Sequence, residues 1–86
     1  MKYISYWEYD QKDNDIIVEK IKKRKGAYTI KTLFPSHFLI GRSRGFTIFE
    51  VEDEMEIVKF SSYYAPEAKM EIFPIVETSK VTGPLE

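Results

Sequence analysis

The sequence predicts an α+β domain in which two helices pack on a four-stranded antiparallel sheet. Short segments rich in aromatic and β-branched residues alternate with two segments of helical periodicity, in the order strand, helix, strand, strand, helix, strand. A chain of 86 residues is long enough for one domain and no more. We expect that domain to span residues 1–81 and residues 82–86 to form a flexible tail, because Leu85-Glu86 is typical of residues left by cloning.

The first half of the chain predicts a strand, a helix and a second strand. Residues 2–9 are dense in aromatic and β-branched side chains, which favours a strand. A helix is expected from Asp15, with apolar side chains at positions 17, 18 and 21 on one stripe and Gly26 as its C-terminal stop. Residues 28–40 then predict a strand that is interrupted near Pro35.

The second half repeats the pattern after a hairpin loop at residues 41–45, which has glycine at both ends. Residues 46–52 predict a strand, and Asp53 followed by Glu56 is typical of a capping box that begins a helix. The helix is expected to end at Ala65-Pro66, and residues 69–77 predict a last strand whose Pro74 indicates a sheet edge. This order, βαββαβ, is that of the ferredoxin-like plait, with both helices on one sheet face.

The third predicted strand is apolar on both sides, which predicts a homodimer. One side carries Phe46 and Ile48, and the other carries Phe49 and Val51. A sheet with one solvated face alternates apolar with polar residues, and two helices cover only one face. We therefore expect a second copy to cover the other face, with Phe46, Ile48 and Glu50 at the dimer interface.

The charge and composition of the chain limit the classes of partner that it is expected to bind. The net charge of −1 argues against wholesale nucleic-acid binding. Residues 1–45 carry ten Lys or Arg against five Asp or Glu, whereas residues 46–86 carry three against nine. This asymmetry indicates either a basic patch for an anionic partner or, as we prefer, two faces that attract each other in a dimer. Many Glu, Lys and Ile residues with few side-chain amides are typical of adaptation to heat.

Several site classes are excluded by composition. The chain has no Cys and one His, which removes disulfides, thiolate metal sites and His-rich metal sites, and we expect no cofactor. The first eight residues contain no uninterrupted apolar stretch long enough for a signal peptide, and no segment approaches the roughly 20 apolar residues of a membrane span. We therefore expect a cytoplasmic protein without a membrane partner.

Residues 32–78 resemble a family of small uncharacterised proteins within the dimeric α/β-barrel superfamily. The resemblance is carried by Ser36-His37-Phe38, by residues 45–53 and by residues 73–77, as a pattern of hydrophobic, Gly, Pro and acidic residues. It implies two plaits packed sheet to sheet, with a cavity in each subunit. The superfamily includes cofactor-free monooxygenases, a lactone isomerase, haem enzymes and amino-acid-sensing modules, so the fold does not select an activity.

Two residues are candidates for catalysis. His37 resembles the His of the family's short Ser/Trp-His stretch and titrates near neutral pH, which suits a proton shuttle; the alternative is a half-buried His bonded to backbone. Glu50 lies mid-strand among apolar residues, where burial would raise the pKa of its carboxyl group; the alternative is pairing with Lys or Arg across the dimer. No complete catalytic set is recognisable, so the sequence leaves open whether the protein is an enzyme.

A ligand pocket is predicted from aromatic side chains. Tyr6, Trp7, Tyr63 and Tyr64, with His37, could line a pocket between sheet and helices, although aromatic residues at these spacings also form plain cores. The leading hypothesis is that the pocket binds a small molecule, aromatic or otherwise. The alternative is a non-catalytic dimerisation or ligand-sensing module.

Two further functions are less favoured. A cofactor-free monooxygenase or isomerase is implied only by the superfamily. RNA binding is indicated by residues 44–51, which partly imitate the RNA-recognition-module sequence, but Thr47 and Ile48 replace its small and second aromatic residues. Arg42 and Arg44 could bind an anion, and a solvated hairpin tip is the simpler interpretation.

Overall fold

A computed structural model describes residues 1–82, with side chains described for residues 1–80. A short 3₁₀ helix, Gln11–Asp13, joins the first strand to the first helix. The strands and helices in chain order are β1 (Lys2–Tyr9), α1 (Asn14–Lys22), β2 (Lys31–Phe38), β3 (Arg44–Glu50), α2 (Met55–Tyr64), β4 (Ala68–Ile75) and α3 (Thr78–Thr82).

The four strands form one antiparallel sheet in the order β2-β3-β1-β4. The two central strands, β1 and β3, are the first and third of the chain, and β2 and β4 lie at the edges. With the element order βαββαβ this is a ferredoxin-like α+β plait, as the sequence predicts. Pro74 lies in the edge strand β4, where its missing N–H leaves no inner hydrogen bond unmade.

The core lies on the face of the sheet that the helices cover. Phe49 of β3 is fully buried and packs edge-on against Phe60 of α2, with 5.2 Å between ring centroids. Tyr3 of β1 stacks on the Phe49 ring, with 5.8 Å between the centroids. Along β3, Phe49 and Thr47 are buried whereas Phe46 and Ile48 are half-buried on the opposite face. Phe46 and Ile48 therefore lie on the face that points away from the helices, where the dimer interface is predicted.

Several boundaries differ from those predicted. α1 ends at Lys22 rather than near Gly26, because the chain turns at once: the Ala27 N–H donates to the Arg24 carbonyl, and Gly26 adopts a φ of 88° within that turn. β2 covers eight residues rather than thirteen. α3 was not predicted; the expected tail begins at its last residue, and residues 83–86 lie outside the described part of the chain.

Candidate functional site

A cavity of about 360 Å³ lies between the covered face of the sheet and the two long helices. Its floor comes from β1, β3 and β4, its roof from α1 and α2, and its mouth from the segment that follows α1 together with β2. Apolar and aromatic side chains form most of its walls, among them Trp7, Tyr9, Ile17, Phe60, Tyr64 and Met70.

The indole of Trp7 is positioned by a glycine on the neighbouring strand. Gly45 pairs with Trp7 in the β1–β3 register, and a Cβ at Gly45 would lie 2.6 Å from the indole ring. The bare glycine lets the ring lie across β3 and meet Phe38 of β2 edge-on, with 5.0 Å between centroids. The cavity wall therefore depends on a missing side chain in the middle of the sheet.

Hydroxyl groups supply polar contacts on the cavity floor. The Trp7 indole N–H donates to Thr47 Oγ1 at 3.4 Å, and the hydroxyls of Thr47 and Ser36 are 2.6 Å apart. Both Thr47 and Ser36 line the cavity. These groups satisfy one another and hold β1, β2 and β3 in one arrangement.

A second polar contact joins two phenols in the cavity wall. The hydroxyl oxygens of Tyr28 and Tyr64 are 2.7 Å apart. Burial raises the pKa of both phenols, and for Tyr64 the hydrogen bond to Tyr28 adds to that effect. Both groups therefore keep their protons at neutral pH. Since only one proton lies between the two oxygens, the other phenol proton is available to a ligand.

The charge of the cavity comes from one residue. Among residues 1–80, whose side chains the structure describes, Arg24 is the only charged residue that lines it. One guanidinium nitrogen, Nη1, donates to the Ile21 carbonyl at 2.6 Å and caps the end of α1. The guanidinium has further N–H donors that this contact does not use.

The opposite face of the sheet carries a second group of apolar side chains. Opposed residues form two rows across the strands, and three of the side chains are 42–50% exposed: Tyr6, Phe34 and Phe73. Phe34 stacks on Phe46, with 5.7 Å between centroids. We call this surface the open sheet face and define it by Ile4, Tyr6, Phe34, Phe46, Ile48 and Phe73.

A family model described as a domain of unknown function (DUF3303) matches residues 1–85. The chain belongs to this family. The predicted resemblance to a family of small uncharacterised proteins is thus confirmed, whereas the superfamily stays a prediction. No curated protein matches the sequence.

The DUF3303 domain contains neither a membrane-crossing helix nor a metal cluster in its described part. None of the helices described within residues 1–82 is both long and apolar enough to cross a membrane. No three His, Cys, Asp or Glu side chains of that part are grouped so that they could hold a metal ion.

The predicted pocket residues of the DUF3303 domain are divided between the two sheet faces. Trp7 and Tyr64 line the cavity. Tyr63 lies beside Tyr64, but its hydroxyl donates to the Lys20 carbonyl and the residue does not line the cavity. Tyr6 and His37 are on the open side of the sheet, where Tyr6 meets Phe73.

The two candidate catalytic residues do not form a common site. The exposed His37 ring stacks on Phe34 with centroids 4.6 Å apart, and its Nδ1 lies 2.6 Å from the Pro35 carbonyl oxygen. His37 pairs with Phe46, four residues from Glu50 along β3. Glu50 is half-buried rather than buried, next to Lys2 and Lys31 in the sheet register. Neither residue lines the cavity.

Sequence reasoning missed the following polar residues of the cavity: Tyr9, Arg24, Tyr28, Thr32, Ser36 and Thr47. One signal was present in the sequence. Thr47 lies two residues before Phe49 in the predicted strand, so both side chains had to point to the same face. A hydroxyl between two inward-facing positions of a central strand indicates a buried polar contact.

Proposed function

We propose that this domain binds a small, largely apolar molecule in the cavity between the sheet and the helices. The single observation that carries the proposal is the cavity of about 360 Å³. Ligand sites are typically concave, have volumes of roughly 300–1,000 Å³ and combine apolar walls with a few converging polar groups. A closely packed core leaves no void of this size.

The lining favours an aromatic ligand. The rings of Trp7, Tyr9 and Phe60 offer faces and edges against which a planar ring gains stacking and edge-to-face contacts. The hydroxyls of Tyr28 and Tyr64 stand where they can fix the orientation of one polar substituent. These groups account for binding; they do not by themselves supply a nucleophile or a general base.

Trp7 is the only tryptophan and lines the cavity, so its fluorescence can report occupancy directly. We expect some members of a library of aromatic metabolites to raise the melting temperature and to change Trp7 emission with saturation. Thr32→Phe at the mouth of the cavity should abolish both effects. Ser62→Phe is the control, since Ser62 is an exposed residue of α2 that lies outside the lining.

Two results would contradict the proposal. One is the absence of any saturable effect across a broad library. The other is a ligand whose affinity is the same in the wild type and in Thr32→Phe, because such a ligand occupies another place.

A second proposal is that the open sheet face pairs with a second copy of the chain. The observation that favours it is the exposure of three large aromatic side chains beside three further apolar residues on one flat surface. Four strands about 4.8 Å apart and about seven residues long cover roughly 400 Å² in projection. The accessible area exceeds the projected area and so approaches the roughly 600–1,000 Å² per partner that stable interfaces bury.

Charges at the margins of the face favour a copy of the chain over RNA. The strands carry four cations interspersed with three anions there: Lys2, Lys31, Arg44 and Lys69 with Glu8, Glu50 and Glu71. A mixed margin can pair with a copy of itself, whereas a nucleic-acid surface needs a continuous basic track. The apolar Ile48 also occupies the place where a second stacking ring would lie.

Sedimentation at micromolar concentration tests the pairing. The wild type should sediment with twice the mass of one chain. Ile48→Asp and Phe46→Asp should be monomeric or unfolded, because burying an unpaired charge costs several kcal/mol. Ile16→Asp is the control, since Ile16 is an exposed apolar residue of α1. A stable wild-type monomer contradicts the proposal, and a salt-dependent shift with single-stranded RNA would favour the rival interpretation.

A further inference from the structure

We infer that the ligand of the cavity is an anion, with an aromatic or other apolar body inside and a carboxylate-like group at the mouth. This inference rests on the proposed binding function and specifies its ligand class. It is supported by two observations: a second cleft adjoins the cavity, and every charged side chain that lines the cavity or this cleft is positive.

The second cleft continues the cavity towards solvent. It is lined by the residues that follow α1 and by the start of β2, and it shares Arg24, Tyr28, Ile30 and Thr32 with the cavity. Its lining is more polar and adds Lys22 and Lys25. A molecule that fills the cavity would therefore present its outer end to this basic cleft.

All the charges that line the two clefts are positive. Within the part of the chain whose side chains are described, the lining contains Lys22, Arg24 and Lys25 but no Asp or Glu. None of these three forms a salt bridge with another described residue. Field lines from three cations at the mouth of an apolar cavity concentrate there and favour an anion.

Neighbouring lysines behave differently. Lys23 pairs with Glu19 at 2.9 Å, and Lys20 pairs with Glu67 at 2.6 Å. The acidic residues of this region are thus engaged by the lysines that lie outside the clefts, so they do not cancel the charge at the mouth. Arg24 belongs to both linings and has N–H donors to spare after its contact with the Ile21 carbonyl.

A purely structural role for these cations is the rival explanation. Positive side chains at the C-terminal end of a helix stabilise it through the helix dipole. That role predicts an effect of Arg24 on stability and none on the choice between a charged and an uncharged ligand. The two explanations therefore differ in a measurable selectivity.

Two probes of nearly the same shape measure that selectivity, namely phenylbutyrate and its neutral amide, phenylbutyramide. Titration calorimetry should give about tenfold tighter binding of the carboxylate to the wild-type protein, with the advantage falling as salt is added. In Arg24→Gln the two affinities should come within about threefold of each other while that of the amide is unchanged. Arg42→Gln is the matched control, because Arg42 is an exposed arginine outside both clefts and should keep the wild-type selectivity.

The outcomes separate this inference from the proposal on which it rests. Equal binding of both probes by the wild type would overturn the anion preference and leave the binding site standing. A variant that combines Arg24→Gln, Lys22→Gln and Lys25→Gln and still prefers the carboxylate to the amide would also overturn the inference. Failure of both probes to bind, together with the absence of a saturable hit in the metabolite library, would overturn the binding site itself.

Discussion

Gly45 shapes the cavity through the side chain it lacks. A Cβ at this position would lie 2.1 Å from the His37 carbonyl oxygen and 2.6 Å from the Trp7 ring. Gly45→Ala must therefore push β2 away from β3 or displace the indole, at a cost of about 1–3 kcal/mol or more in unfolding free energy. Urea unfolding gives that cost, and a shift in Trp7 emission locates its cause.

Gly26→Ala is the control for this substitution. Gly26 has a φ of 88°, but a Cβ there would meet nothing within 4 Å. Its cost is limited to the strain of a left-handed conformation, about 1 kcal/mol, and leaves Trp7 emission unchanged. Equal effects of the two alanines on stability and on emission would show that the close contact at Gly45 does not exist in solution.

The phenol pair makes stability depend on alkaline pH. The pKa of Tyr64, like that of Tyr28, lies above its ordinary value of 10.0 in the folded protein, chiefly because of burial. The folded state holds these protons to higher pH than the unfolded chain, so their contribution is fully present below about pH 10 and is lost as the pH rises further.

We expect Tyr64→Phe to lower the unfolding free energy by about 1 kcal/mol at neutral pH, since it removes one buried hydrogen bond. It should also weaken the loss of stability above about pH 10. Urea titrations across this pH range measure both effects. An unchanged pH profile in Tyr64→Phe would count against the phenol pair.

At the scale of elements, α2 begins through one side chain. Asp53 Oδ1 accepts the Met55 N–H at 2.9 Å, just before the first helical turn. The predicted capping box closes only on this side, because Glu56 pairs with Lys59 at 3.3 Å instead of returning to the cap. Half of the predicted motif is therefore present.

Asp53→Ala should destabilise the domain by about 1 kcal/mol, the usual cost of removing a side chain that satisfies a helix N-terminus. Glu54→Ala is the neighbouring control, since no capping hydrogen bond comes from the side chain of Glu54. Thermal unfolding distinguishes them. If both variants melt at the wild-type temperature, the Asp53 contact contributes nothing.

The elements were predictable where local chemistry dominates. β1 has the predicted bounds because a run of aromatic and β-branched residues ends at the polar segment that begins with Asp10. The end of α1 was not predictable, since residues 23–25 are good helix formers. They lie outside the helix because the Arg24 guanidinium and the turn at Gly26 supply hydrogen bonds to the last carbonyl groups in place of helical N–H groups.

The site was less predictable because β2 is irregular. Strict alternation would place Thr32 and Phe34 on one face, but a register shift between them sends Thr32 to the cavity and Phe34 to the open sheet face. A second register shift in β2 lies between Phe34 and His37. Sequence alone does not show these shifts, so His37 could not be assigned to a face.

At the scale of the whole molecule, the sheet separates two surfaces that differ in character. The covered face encloses the cavity, whose mouth is basic, and the open face is flat, apolar and mixed in charge at its margins. The basic residues that directly follow α1, Arg24 and Lys25, lie at the mouth of the cavity and so on the covered side of the sheet. The two proposals therefore use different surfaces and can hold or fail independently.

Pairing through the open sheet face would couple stability to protein concentration. A domain this small buries a limited share of its surface, so association would supply a substantial part of its stability. For a dimer that unfolds to two chains, each tenfold dilution lowers the apparent stability by about 1.4 kcal/mol of dimer. With the entropy of unfolding typical of this size, the melting temperature should fall by about 3–6 °C per tenfold dilution.

Differential scanning fluorimetry over two decades of concentration measures this slope. Ile48→Asp should remove the slope as well as lower the melting temperature, while Ile16→Asp on the exposed side of α1 keeps it. The comparison of slopes matters more than the melting temperatures, because a charged residue placed on a half-buried strand can also weaken a monomer. A wild-type melting temperature that stays constant over the whole range would show that the open face does not pair.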